Sequence, residues 1–186
     1  MTEGIATERK VRFTNPRDIV GHTSFPIWIW EKEVKLKGEM TGGQLISVMK
    51  KADIEIGDSA RHMLQDAEYV VSSETRIVHL ACCEIGDLGF SRSVKTPKLW
   101  AKLKQTNSLC PQDAGPHLRC QFMEQPIGEW ALVAMNPISM NLRSRGIFFL
   151  GCNKNSNGKS RKLWIQGLAV GENGEWNPKI KIIVAC

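Results

Sequence analysis

This 186-residue chain lacks any apolar run near the roughly 20 residues that a membrane-spanning helix requires. Its opening residues, Met-Thr-Glu-Gly-Ile-Ala-Thr-Glu-Arg-Lys, lack the apolar core of a secretory signal. Both absences point to a cytoplasmic protein without a membrane partner. The six cysteines, Cys82, Cys83, Cys110, Cys120, Cys152 and Cys186, include no Cys-x-x-Cys pair. They read as reduced, small apolar residues rather than as disulfides or zinc ligands. His79-Leu-Ala-Cys82 and His117-Leu-Arg-Cys120 echo one another. Both lie in segments that read as strands, where residues three apart face opposite ways. No metal is therefore expected. No glycine-rich phosphate loop occurs either. Gly42-Gly43 is followed by Gln44 and Leu45, not by the Lys-Ser/Thr of a nucleotide site, and no cofactor is expected.

Acid is missing from one long stretch. Between Trp130 and Gly171 there is no Asp or Glu, yet Arg143, Arg145, Lys154, Lys159, Arg161 and Lys162 fall there. These six cations account for the whole formal net charge of +6. A stretch of one sign attracts phosphate, so the segment is a candidate nucleic-acid contact. In a strand meander, however, consecutive hairpin loops lie at opposite ends of the strand they share. Arg143 and Arg145 then sit apart from Lys154, Lys159 and Arg161, and any nucleic-acid binding is expected to be weak.

What is present suits one domain with a real core: 42% hydrophobic and 24% charged residues. Residues 1–24 carry no sustained periodicity and read as a loosely ordered N-terminal arm, leaving 25–186 as the domain. A first strand is expected over residues 27–36, with Trp28, Trp30, Val34 and Leu36 on one side. Thr41-Gly-Gly-Gln44 has capping-box spacing, followed by Leu45, Ile46, Val48, Met49 and Ala52 at helical intervals. Asp58 is placed to cap a second helix burying Ala60, Met63, Leu64 and Ala67. The pair reads as a helical hairpin covering a sheet, with a helix-turn-helix as the other reading. Strands are expected at 69–71 and 76–83. Thr96-Pro97 opens a third helix with Pro in its first turn, presenting Leu99, Trp100 and Leu103 inward and ending by Asn107. The last third reads as a five-strand antiparallel meander over 116–122, 129–136, 147–152, 163–170 and 179–185. Strands apolar on both parities, as in 129–136, are covered on both faces. Trp130 is expected in the core. The fold class is α+β: a mainly antiparallel twisted sheet with two or three packed helices.

Several short motifs then stand out. They include Phe25-Pro-Ile-Trp28, Asp87-Leu-Gly-Phe90, Leu109-Cys-Pro111, Gly115-Pro116, Leu118-Arg119 and Gln125-Pro126. Gly128-Glu-Trp130, Ala134-Met135, Pro137-Ile138 and Leu163-Trp164-Ile165 continue the series. Together they resemble a family of small uncharacterised bacterial proteins. Its pattern is Leu-Cys-Pro-x-Glu-x-Gly-Pro, then Gln-Pro-x-Gly-Glu-Trp, then Ala-Met-x-Pro-Ile, and the resemblance covers residues 25–186. This chain departs from it at Asp113, where Glu is usual, and at Cys120, where an apolar residue is usual. The resemblance implies a bacterial protein and brings no activity.

For chemistry, Cys110, Asp113 and His117 are the one nearby trio of nucleophile, acid and imidazole types. Pro111, Gly115 and Pro116 would hold them on a rigid loop; the plainer reading is a packed cysteine. Glu124 and Glu129 flank the Gln-Pro-Ile-Gly turn and read as solvated, or as ion-paired with Arg119, rather than as an acid–base pair. The leading expectation is a non-enzymatic binding or interaction module for a protein or small ligand. The alternative is a nucleic-acid-binding protein using the basic 143–162 segment. Third stands a small Cys/His hydrolase.

Overall fold

The computed structural model describes residues 28–141, 144–155, 158 and 160–186. The arm expected over 1–24, the Phe25-Pro-Ile part of the first motif, Arg143 and Lys159 lie outside the described residues. The elements run β1 (Trp30–Leu36), α1 (Gly42–Lys51), β2 (Glu55–Ile56), α2 (Asp58–Gln65) and β3 (Arg76–Glu84), then a 3-10 turn at Ile85–Leu88. There follow β4 (Val94–Lys95), α3 (Thr96–Gln105), α4 (Ala114–Gln121), β5 (Trp130–Val133), β6 (Ile138–Asn141) and β7 (Ser144–Lys154). The chain ends with β8 (Arg161–Ala169), β9 (Glu175–Trp176) and β10 (Lys181–Ala185). The fold is α+β.

The main sheet has the order β1-β3-β10-β5-β7-β8-β2, with β6 beside β5 on the same edge of β7; β4 and β9 form a small second ladder. Most pairings are antiparallel, while β10 with β5 and β2 with β8 are parallel. The expected meander holds for β5, β7 and β8, which are antiparallel neighbours. It fails for the last strand. β10 leaves β8 and inserts between β3 and β5, where Ile182 and Ile183 pair with Leu132 and Val133.

Local chemistry explains most of the helices. Thr41 accepts from the Gln44 amide while the Gln44 side chain accepts from the Thr41 amide, closing the capping box that starts α1. Leu45, Ile46 and Met49 are its buried residues along with Gly42. Asp58 is the first residue of α2 rather than its cap; that position is held by Gly57, with no side-chain bond. Ala60, Met63 and Leu64 are buried as expected, whereas Ala67 lies past the helix end and is exposed. α1 packs on α2, and α2 lies on β6 and β8, so the pair is the sheet-covering hairpin. Pro97 sits in the first turn of α3, and Asn107 follows its end with φ +54°, a left-handed conformation that Asn tolerates.

Two segments expected as strands are not strands. Residues 116–121 belong to α4, with Phe122 just past its end, and the sheet and α1 enclose the helix so fully that Ala114 through Arg119 are all buried. A helix covered on every side needs no polar face, so its sequence shows no helical period. His117 and Cys120 are therefore three apart on one helix, not on opposite faces of a strand. Residues 69–71 are irregular and join no strand, and side chains of the 111–113 turn take amides along this segment. The Val70 N–H donates to Gln112 Oε1 at 2.7 Å and the Ser72 N–H to Asp113 Oδ2 at 2.8 Å.

Register puts Ala131, Val133, Phe148, Leu150, Ile165 and Ile183 on one sheet face. α4 lies on that face, with Gly115 so near Val133 and Phe148 that a Cβ there would meet a Val133 methyl at 3.0 Å. Phe122, just past α4, contacts Trp30 edge-to-face. Gln121 of α4 closes the outer edge of β1: its amide accepts from the Lys35 N–H and donates to the Lys35 carbonyl, as a neighbouring strand would.

The other face carries Trp130, Phe149 and Trp164 in edge-to-face contact around Gly151. Trp130 is 43% exposed there, which corrects the expectation that it lies in the core. It sits at the outer end of β5, while Ala131, Leu132 and Val133 fill the interior. Trp130→Ala should accordingly cost only about 1–2 kcal/mol, about half of what full burial would imply. Urea denaturation checks this; a loss above about 3 kcal/mol would mean the ring is buried in solution.

Candidate functional site

Asp113 stands at the start of α4, facing the irregular strap of residues 66–75 that it pins through Ser72. Strap and helix start enclose a cleft of about 470 Å³ whose walls include Val70, Val71, Ser73, Glu74, Arg76, Cys110, Pro111, Gln112, Asp113 and Asn136. Asp113 is 1% exposed. Its Oδ2 is used by Ser72, and its Oδ1 has no hydrogen-bond partner among the described residues. Two further buried polar atoms nearby are without partners, Tyr69 Oη and His117 Nε2. The Asp113 charge acts on both side chains: it adds to the burial that raises the Tyr69 hydroxyl pKa, and it partly opposes the burial that lowers the His117 imidazole pKa. Buried orphan polar atoms are uncommon in native proteins and mark places where water or a ligand completes the bonding.

Of the trio Cys110, Asp113 and His117, Cys110 and Asp113 line the cleft, while His117 lies one turn along α4, its N–H donating to the Asp113 carbonyl. The trio does not form a nucleophile–base–orienter chain. Cys110 Sγ donates to the Ile183 carbonyl at 3.5 Å, and burial raises its thiol pKa far from the thiolate range. His117 Nε2, without a partner, does not touch it.

His117 also gives the fold a pH dependence. Burial holds its imidazole below the ordinary value near 6.5, so the unfolded chain takes up the proton first. The stability associated with the neutral ring is complete above that value. It is lost as the pH falls through about 6.5 toward the folded-state pKa. His117→Gln should flatten this segment of a stability profile measured by urea denaturation between pH 8 and 5. An unchanged slope would place the ring in solvent.

Among the described residues the basic candidates fall into two separate groups. Arg145 lies near the start of β7, where it bonds Glu68 at 2.9 Å and the Pro137 carbonyl. Lys154 and Arg161 pair with each other in register at the far end of the β7–β8 hairpin. Nine residues of strand separate Arg145 from Lys154, roughly 30 Å, beyond the Debye length of about 8 Å at physiological salt. Lys162 is held by Asp53 at 2.8 Å.

Glu124 and Glu129 pair with Lys32 and Lys181, not with Arg119. Arg119 is instead wholly buried and donates to Gln125 Oε1 and to the carbonyls of Gly151 and Phe122. Burial lowers its pKa to about 10, which still leaves it charged at neutral pH.

Sequence reasoning misses the strap side of the cleft: Val70, Val71 and Arg76 read only as strand residues, and Glu74 carries no reading. Their link to Asp113 spans about 40 positions, and no local pattern signals it. Among the described residues no helix is long and apolar enough to cross a membrane, and no group of three or more His, Cys, Asp or Glu is placed to hold a metal. Comparison with protein-family models, with curated proteins and with solved structures found no match.

Proposed function

We propose that this protein is a non-enzymatic binding module of the bacterial cytoplasm that takes a small polar ligand in the cleft between the strap and α4. The observation that carries this reading is the cleft itself, about 470 Å³ between the strap and the start of α4, with Glu74, Arg76, Gln112 and Asn136 among its polar walls. A concave site with a few polar groups among apolar walls is the usual form of a small-molecule site. The central block of residues 109–138 supports placing the chain with the small bacterial proteins whose motifs it resembles. A Cys/His hydrolase has less to rest on, because the Cys110 thiol is buried and engaged with Ile183. So does a nucleic-acid-binding surface on the 143–162 segment, because Arg145 and Lys162 are already ion-paired.

The test is amide NMR against a panel of small polar compounds, with Asp113→Asn beside the unaltered chain. Asparagine keeps an acceptor for the Ser72 N–H but removes the negative charge beside the cleft. At least one compound should shift amides of residues 70–76 and 110–113 and bind the variant at least tenfold more weakly. A panel that leaves those amides unmoved sinks the reading.

A further inference from the structure

We propose that the outer face of α3, with the turn before it, binds the sugar–phosphate backbone of a nucleic-acid duplex. This goes beyond the cleft reading and uses other residues. Between Asp87 and Asp113 the chain has no acid and five cations, Arg92, Lys95, Lys98, Lys102 and Lys104. Outside this stretch and the 130–171 segment, acids outnumber cations. The fold gathers the five. Lys98, Lys102 and Lys104 belong to α3, and Lys95 immediately precedes it. Arg92 shares with Lys95 and Lys98 the wall of a concavity of about 530 Å³. All are exposed except Lys102, which is half-buried.

Arg145 and Lys162 are held by Glu68 and Asp53, whereas none of these five side chains makes a hydrogen bond or ion pair among the described residues. Lys95, Lys98 and Lys102 follow at intervals of three and four residues, which sets neighbours about 6 Å apart on one side of the helix. Like charges at that spacing repel, and a bound anion relieves the repulsion. From Lys95 to Lys104 is about 14 Å of helix, with each gap inside the Debye length of about 8 Å. The cations therefore act as one field, unlike the two separated groups of the 143–162 segment. Glu175, opposite Lys95 in the β4–β9 ladder, offsets part of the Lys95 charge. Arg92 and the three lysines of α3 remain.

The rest of this surface selects among polyanions. A basic helix settles into a bilayer through an exposed apolar stripe, but Leu99, Trp100 and Leu103 of α3 are buried in the core. A single strand is held by stacking its bases on aromatic side chains. The exposed residues of α3 are Pro97, Lys98, Ala101, Lys104 and Gln105, none of them aromatic. Phe90, before the helix, packs against the core. Ser91 and Ser93 add hydroxyls of the kind that contact phosphate oxygens. A duplex, with one negative charge per about 1.7 Å of its axis, is the densest row of phosphates such a field can meet.

The experiment measures binding of the full chain to a labelled DNA duplex and to a single strand of equal length by fluorescence anisotropy across a salt series. Co-sedimentation with vesicles of phosphatidylserine and phosphatidylcholine in equal parts runs beside it. The duplex should bind more tightly than the single strand, with a slope of log K against log salt of about −3 to −4, as three to five neutralised phosphates require. Lys98→Gln together with Lys102→Gln should weaken duplex binding at least tenfold at low salt and reduce the slope by about 2. Lys98→Arg with Lys102→Arg should keep it, which separates lost charge from lost structure. Lys154→Gln with Arg161→Gln, on the β7–β8 hairpin, should leave it unchanged. Duplex binding that fails at low salt overturns the proposal, as does binding lost with the hairpin pair but not with the α3 pair. A single strand that binds more tightly than the duplex would assign the contact to the bases and also overturn it. Vesicles that bind where the duplex does not would make the surface a membrane contact instead.

Discussion

Arg119→Met should destabilise the fold by about 3–5 kcal/mol, the largest loss expected from a single side chain here. Two effects of opposite sign compete. Removing a wholly buried cation relieves a desolvation penalty, and buried charges are often replaced by apolar groups without loss. Here, however, the partners are two carbonyls and an amide oxygen, at Phe122, Gly151 and Gln125, and they remain in place after the substitution. Each buried acceptor that loses its donor costs about 1–3 kcal/mol. Three of them outweigh the relief. The guanidinium also ties the end of α4 to the following turn and to β7, so its loss loosens the wall beneath the sheet. Arg119→Lys keeps the charge but cannot reach three acceptors in a plane, and it should fall between the two. Urea denaturation measures both variants. A methionine variant within 1 kcal/mol of the unaltered chain would show that the carbonyls find other donors.

The second large effect is at Gly42. A Cβ there would stand 1.7 Å from the Leu64 carbonyl oxygen and 2.6 Å from its carbon, both backbone atoms of the last turns of α2. Backbone cannot rotate away, so Gly42→Ala must push α1 and α2 apart and disturb Leu45, Met49 and Met63 between them. A cost of about 3 kcal/mol is expected. Gly43, the next residue, provides the control. Its nearest neighbour is Thr41 Oγ1 at 4.0 Å, and it lies in the first turn of the same helix. Gly43→Ala should be neutral or stabilise by up to about 1 kcal/mol, through reduced freedom of the unfolded chain. Thermal unfolding of the two variants side by side decides it. Equal shifts would mean that the helices do not meet at Gly42.

What the sequence determined by itself is the part of the fold controlled by near neighbours. The Thr41–Gln44 box starts α1, Pro97 opens α3, Asn107 turns the chain after it, alternation in residues 30–36 marks β1, and the apolar run within 76–83 marks β3. The apolar runs of 129–136, 147–152 and 163–170 likewise announced three adjacent strands, although the face with Trp130, Phe149 and Trp164 is only partly covered rather than closed as expected. In each case the signal and its cause lie within a few residues of one another.

Tertiary structure alone decided the rest. α4 is buried from Ala114 through Arg119, His117 and Arg119 included, so its sequence lacks the amphipathic period by which a helix is recognised. β10 joins β3 and β5 instead of β8, a choice made by which apolar surfaces remain to be paired when the chain arrives. Trp130 faces out because it stands at the end of β5, although its composition suits a core. The cleft is the clearest case. Asp113 and Cys110 were legible as polar and nucleophilic residues on a Pro-rich loop, but Glu74 and Arg76 share a cleft with them on a strap whose Val70 and Ser72 amides bond Gln112 and Asp113. Those bonds cross more than 40 positions, and long-range hydrogen bonds leave no periodicity behind. A buried acceptor without a donor is a property of the packed molecule, visible only once every other donor has been assigned.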